Sequence, residues 1–454
     1  MSGMSGDTVD RGGAGITMGV RRRRRVVLSA APLAGLAAAC SGGSPGGAPP
    51  SASRPPATIR LATTATIVQQ VMPAALPMFN QQHPHITLVV EPKENDWQEK
   101  TVAQWLSGTG PDVTNAFNEF LPEWSRKGLL LKLDALIKRD FTSRQLQDYS
   151  EYQWKFFSTK ERGQHALPEY LATAALGYNT SLFGRAGVPF PDDTWVWSRY
   201  AEAMARLTDR DREQFGGQLG SNLPRLQERI IQNGGWVVDP NDDLQCLLDQ
   251  PPALEAMQWH HDRMWRENVV PQPTQRTGRS LIAQGKVAMF ETGSWMLRQF
   301  VQDVGDQFEW DVAIYPRGKQ RNTVATTDGW ASWQESEAPE ACWTLLRFLQ
   351  TDEWIDVYTK ATGNQPARKS HAGRWMATVR SSIPQLATKN LSAFVDGITK
   401  NYARPNAVVR FDAEVRPGLQ QAITSTVDRN EAPLADTIRA AVAAANARLK
   451  QLAG

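Results

Sequence analysis

Residues 57–92 read ATIRLATTATIVQQVMPAALPMFNQQHPHITLVVEP. ATIRLATTAT reads as a buried strand running into a polar loop, MPAALPMFNQQHP carries apolar residues at helical spacing, and HITLVVEP reads as a second strand. Strand, helix, strand is the start of an α/β unit. The alternation continues downstream. TVAQWLSGTG predicts a helix closed by glycine, PDVTNAF a strand and loop, and LPEWSRKGLLLKLDALIKRD helical pieces separated by Gly128. RYAEAMARLT, PPALEAMQWHHDRMWREN, PEACWTLLRFLQTDEWIDVYTKAT and APLADTIRAAVAAANARLKQL are the clearest amphipathic helices, two of them with proline near the first turn. There is no repeat of fixed period. The absence of a G-x-G-x-x-G after a strand, and of a G-x-x-x-x-G-K-[ST] loop, argues against dinucleotide and P-loop sites.

Ahead of this body stands RRRRRVVLSAAPLAGLAAACSGGSPGGAPP, with Arg21 to Arg25 followed by 14 mostly apolar residues and then Cys40. A cationic start, a short apolar middle and small residues at the end are the parts of a signal peptide. The apolar run falls short of the roughly 20 residues needed to span a bilayer. Residues 1–39 are therefore expected to be removed. A cysteine directly after Ala37-Ala38-Ala39 resembles the lipobox of bacterial lipoproteins, which would make Cys40 the lipidated first residue of the mature chain. Arg23-Arg24-Arg25-Val26-Val27 also fits a twin-arginine export signal. Residues 41–57, SGGSPGGAPPSASRPPA, hold one charge and cannot fill a core, so 40–57 reads as a disordered, flexible tether of about 20–25 Å from the anchor to the body.

The chain's net charge of +3 belongs to the leader: its six arginines and two aspartates account for it, and the remainder carries about −1. That removes the electrostatic case for nucleic acid. The 415 residues from Cys40 exceed one compact core, so two domains are expected. Beyond Cys40 only Cys246 and Cys342 remain, both in apolar helix-like surroundings, which favours two buried thiols over a bridge. Apart from the leader no segment reaches 18 apolar residues, so membrane attachment is expected through lipid alone.

Six histidines are spread without an H-E-x-x-H or a Cys/His cluster of ligand spacing, so neither a metal nor another cofactor is expected. The pair His260-His261 on a helix reads as surface. There is no G-x-S-x-G elbow. Two carboxylates suffice for glycoside hydrolysis, and a secreted glycosidase stays open as an alternative. Tryptophan is abundant, 16 residues in all. Trp154, Trp259, Trp343 and Trp354 lie in helical patterns and read as packing residues. Trp295 in ETGSWM and Trp330 in TTDGWASW each follow or neighbour a glycine and read as loop-end rings able to stack on something flat and partly apolar, such as the C–H face of a sugar.

GTGPDVTNAFNEFLPEWSRKGLLLKLD, ALPEYLATAALGYNTSLFGRAGVPFPDDTW, SLIAQGKVAMFETGSWM, DGWASWQESEAPEACWTLLRFL and TGNQPARKS, in this order, resemble the successive signatures of extracellular solute-binding proteins of ABC importers, the maltose-binding-protein-like sugar group. The resemblance covers nearly all of residues 58–454. It implies an α/β, two-lobe periplasmic-binding-protein-like fold with a hinge between the lobes. The first lobe would take 58–168 and 329–372, the second 169–328 and 373–454. It also implies a monomeric, non-enzymatic protein on the outer face of the cell membrane that captures a mono- or oligosaccharide and passes it to permease subunits. A glycerophosphodiester, polyamine or peptide is the alternative ligand. By the family's pattern the binding residues are Thr64 and Thr66 after the first strand, Asn118 and Glu119 after PDV, Tyr170 after ALP, Trp236, Trp295, Asp328, Trp330, and Arg368 in QPARKS. The family often has an aromatic residue just after PDV, where this chain has Asn115 and Ala116 before Phe117.

Overall fold

In the computed structural model, which describes residues 55–94, 96–117, 120–276, 280–405 and 409–453, the stretch ATIRLAT forms the strand Ala57–Thr63. The leader, Cys40 and most of the tether, with Asn118 and Glu119, lie outside the described residues. Ile59 and Leu61 are fully buried, which places this strand inside a sheet. It pairs in parallel with Ile86–Pro92, from Ala57 opposite Ile86 to Thr63 opposite Pro92, and with Val113–Phe117 on its other side. Parallel neighbours need a crossover. The first is a π-type turn, Ile67–Val71, running into the helix Met72–Gln82, whose Met72, Ala75 and Phe79 are buried at helical spacing. Phe79 then meets Phe348 edge-on, with ring centroids 5.2 Å apart.

The first sheet has five strands in the order Ile86–Pro92, Ala57–Thr63, Val113–Phe117, Asp328–Ser332 and Leu167–Pro168. Asp328–Ser332 runs antiparallel to both neighbours. The second sheet is built around Ala172–Asn179, all of whose residues are buried. It is flanked by Thr323–Thr326 with Ala403–Pro405 on one side and by Val287–Gly293 with Phe215–Gln218 on the other, and Trp310–Ala313 also pairs with it. Helices cover both sheets, giving the two α/β lobes of a periplasmic-binding-protein fold.

The polypeptide passes between the sheets three times. It crosses between Pro168 and Ala172, and again between Thr326 and Asp328. The third passage lies between the helix Asp352–Thr362, whose Trp354 and Tyr358 belong to the core of the first sheet, and the helix Ala372–Ser382, whose Trp375 and Val379 belong to a core of the second. PEACWTLLRFLQTDEWIDVYTKAT is two helices instead of one. Pro339–Phe348 stops and Asp352–Thr362 restarts because the Thr351 hydroxyl caps the second, accepting from the Trp354 N–H at 3.3 Å.

Trp343 and Trp354 are buried, as their helical patterns suggest. Cutting either ring to alanine would cost about 3–5 kcal/mol. Cys246 and Cys342 are buried free thiols, and burial pushes both up to about 11. His260, expected on the surface, is fully buried instead. The reason is that its helix, Pro251–His261, packs against both Leu223–Gln232 and the C-terminal helix Leu434–Ala453.

Candidate functional site

In open α/β sheets ligands gather at the carboxyl ends of strands. The three parallel strands of the first sheet end at one edge, so Thr64–Thr66, Lys93 and Phe117 are brought there from three separate stretches. Thr64 and Thr66 are exposed, and the Thr64 hydroxyl oxygen accepts from the Ile67 N–H at 3.4 Å. Phe117 is 42% exposed at the end of its strand, edge-on to Trp97 at 5.8 Å. Trp97 also meets Phe120 and Trp124, so an aromatic cluster supports Phe117 from beneath.

Beside it lies a polar network. The Lys93 ammonium donates to the Asn115 side-chain oxygen at 2.7 Å and to the Asn115 carbonyl, and sits 3.8 Å over the Trp97 ring. The Thr63 hydroxyl donates to the same Asn115 oxygen at 3.1 Å, and the Asn115 amide donates to Glu169 at 2.7 Å. The Tyr358 hydroxyl donates to the other Glu169 oxygen at 3.1 Å and accepts from the Asn364 amide at 2.9 Å. Burial is the main influence on both charges. It presses Lys93 down to about 7 against the pull of Glu169 and Asp328, and lifts Glu169 up to about 7 against Asn115, Lys93 and Tyr358. Tyr170 bonds through its hydroxyl to Asp328, and burial, then the charges of Asp328 and Glu169, raise it well above its usual range.

The second lobe answers with the carboxyl ends of Phe215–Gln218 and Val287–Gly293, which run parallel. After the latter, the Ser294 hydroxyl donates to the Gln365 side chain at 3.2 Å and accepts from the Thr173 N–H at 3.3 Å. Trp295 folds back over Gly293, where any added side chain would collide with its ring. That is the physical reason for the G-x-W spacing. The Arg225 guanidinium lies 5.4 Å over the Trp295 ring, from the first turn of the helix Leu223–Gln232. Arg225 is held 3.8 Å from Glu291, which also pairs with Arg229 and accepts from the Gly220 N–H at 2.9 Å. Burial, helped by Glu291, pushes the neighbouring Glu228 carboxyl up to about 8.

The expected residues divide. Thr64, Thr66, Tyr170, Asp328 and Trp295 stand at strand ends of the two sheets or at the crossings between them. Trp236 is 40% exposed after the helix Leu223–Gln232. Trp330 has to be withdrawn from the set. It is 0% exposed in the first-lobe core, edge-on to Trp354 at 5.9 Å, because its strand is covered on both faces. The glycine before it is a packing requirement, since a Cβ on Gly329 would lie 2.8 Å from Leu121 and Phe157. Arg368 is likewise committed elsewhere. It donates to Asp148 at 2.8 Å and pairs with Asp352, beside a first-lobe groove lined by Gln82, His83 and Phe348. Lys93, Asn115, Glu169, Phe117 and Arg225 were missed, though an exposed phenylalanine after PDV was a readable signal. Among the described residues there is no group of His, Cys, Asp and Glu suited to a metal, and no helix long and apolar enough to cross a membrane.

A sequence profile of the family described as bacterial extracellular solute-binding protein matches residues 62–356, more than half of the chain. A binding protein of Brucella abortus (strain 2308) is 24% identical over 305 residues, 65% of this chain and 72% of its own length. The fold matches an ABC substrate-binding protein of Listeria monocytogenes solved with cycloalternan, at a TM-score of 0.74 and 20% identity over 87% of this chain and 99% of that one. It also matches the cyclic alpha-maltosyl-1,6-maltose binding protein of Arthrobacter globiformis, at a TM-score of 0.73 and 21% identity over 87% and 100%. The sugar-binding protein MalE of Xanthomonas citri aligns with a TM-score of 0.72 and 18% identity over 87% and 98%.

Proposed function

The chain belongs to the family of bacterial extracellular solute-binding proteins, and from that premise we propose that it is the sugar-capturing component of an ABC importer. A mono- or oligosaccharide enters between the two lobes, the lobes close over it, and the closed form delivers it to membrane permease subunits. The observation that carries this reading is Phe117, a large aromatic ring left 42% exposed at the carboxyl end of a strand in the first sheet. Such a ring offers a flat apolar face at a position where ligands bind in this architecture. Trp295 faces it in role from the second lobe, with Trp236 as a further ring. Thr64, Thr66, Tyr170 and Asp328 supply hydroxyl and carboxylate partners, whose value lies in discrimination, because a sugar lacking the matching hydroxyl leaves a buried group unpaired.

A neutral ligand is supported by the charges near the cleft. Lys93 is engaged by Asn115 and Trp97, and Arg225 faces Glu291. A phosphate would call for cations converging on it. We place the lobes at 58–168 with 329–372 and 169–328 with 373–454. The change of sheet between Pro168 and Ala172 supports the first of these limits. Lipid attachment at Cys40 would tether the monomer to the outer face of the membrane. A thermal-shift screen tests the function: a ligand that binds only the folded state raises its melting temperature. A rise with maltodextrins or cyclic glucosides, with no product formed, is expected. A rise with glycerol phosphates or polyamines alone would replace the sugar, and turnover of an oligosaccharide would make the protein a hydrolase.

A further inference from the structure

Glu291, four residues before Trp295, lines a small cavity in the second lobe together with Tyr200, Tyr315, Glu228, Arg229 and Gln232. The space open to the centre of a water molecule there is about 10 Å³. One water needs roughly 10–15 Å³ and two to four polar partners. The cavity is sized for one water and is too small for a sugar or a phosphate, and the Arg229 guanidinium in its lining disfavours a cation. Part of the polar lining is satisfied within the protein. Gln232 donates to the Asn322 carbonyl at 2.9 Å and accepts from the Trp197 indole N–H at 2.7 Å, and the Glu291 oxygens are taken by Arg229 and the Gly220 N–H. Four buried atoms are left. Among the described residues nothing bonds to the hydroxyls of Tyr200 and Tyr315, to one Glu228 oxygen or to the Arg229 Nε. Glu228 is 1% exposed, Tyr200 4% and Tyr315 6%, so bulk water does not serve them. The charge of Glu228 acts on both phenols, which places the three groups close together. Nearly every buried polar group in a folded protein has a partner. Several such groups around one water-sized space call for a partner they share.

We propose that this cavity is a binding site for one ordered water, held between Tyr200, Tyr315 and Glu228. A water offers two donors and two acceptors. It gives to the Glu228 oxygen and to one hydroxyl oxygen, and takes from the other hydroxyl and from the Arg229 Nε. Because a phenol hydroxyl both donates and accepts, the set is satisfied whether or not Glu228 carries a proton. The water joins three elements of the lobe: the helix Trp197–Leu207 through Tyr200, the helix Leu223–Gln232 through Glu228, and the segment after the strand Trp310–Ala313 through Tyr315. It thus ties the ion cluster of Arg229 and Glu291 to two further parts of the scaffold. A polar network completed in this way is rigid, whereas one left part-satisfied is costly. The site lies wholly within the second lobe and is the same whichever solute the cleft takes.

A high-resolution crystal structure of the full chain carrying Cys40→Ser tests this. A single density peak is expected at about 2.5–3.0 Å from the Tyr200 and Tyr315 hydroxyls and the Glu228 oxygen. An empty cavity, or a tyrosine hydroxyl bonded directly to Glu228 in place of the peak, would overturn the proposal. Oxygen-17 relaxation dispersion counts long-lived waters in solution and gives an independent reading. Tyr200→Phe with Tyr315→Phe removes two partners and keeps both rings, and should lower that count by one. An unchanged count in the folded double variant would also overturn the proposal, because the phenols would then not hold the water. If the double variant does not fold, the density in the unaltered cavity decides alone.

Discussion

Two buried clusters of charge differ in what they join. Glu291 is held by Arg225, Arg229 and the Gly220 N–H, all from the second lobe, so its partners keep their places when the lobes move. Glu169 shares its surroundings with a single cation, Lys93, reached through Asn115, and its contacts run from one lobe's strand ends into the crossing segments. Charge balanced inside one rigid body is scaffold, here the support beneath Trp295. The Glu169 cluster instead ties the strand ends of the first sheet to the crossing segments.

The contrast can be broken at several points. The largest effect belongs to Glu291→Gln, which leaves Arg229 buried without its counter-charge. A loss of about 3–5 kcal/mol in denaturant unfolding is expected, as for other broken buried pairs. Trp295→Ala comes next, with folding little changed and sugar affinity down by about 2 kcal/mol, roughly thirtyfold, in calorimetric titration. An unchanged affinity there would leave the Glu291 cluster as scaffold for something other than the ligand. Arg368→Ala should have the smallest effect. Its ion pairs lie away from the strand ends, so affinity should not move and stability should fall by about 1 kcal/mol or less.

The same contrast marks what was legible in the sequence. Strand, helix, strand over residues 57–92 could be read because the spacing of apolar residues is a local property, and Met72, Ala75 and Phe79 are buried at that spacing. The strand end at Phe117 was readable for the same reason. The network of Lys93, Asn115, Glu169 and Tyr358 was not, because Asn115 and Glu169 are 54 residues apart and Glu169 and Tyr358 are 189 apart, and nothing local records their meeting. Trp330 misled because glycine before tryptophan suits a loop and a crowded strand equally well. What decided between them was Leu121 and Phe157, more than 170 residues upstream, against which only a glycine fits. Arg368 misled differently: its motif was present, but Asp148, 220 residues upstream, and Asp352, 16 residues upstream, had already claimed the guanidinium.

The most direct measurement is small-angle X-ray scattering of the folded body with and without saturating maltotetraose. Two lobes closing over a sugar should reduce the radius of gyration, since hinge closure brings separated masses together. A sugar that raises the melting temperature and leaves the radius unchanged would contradict capture by closure between the lobes.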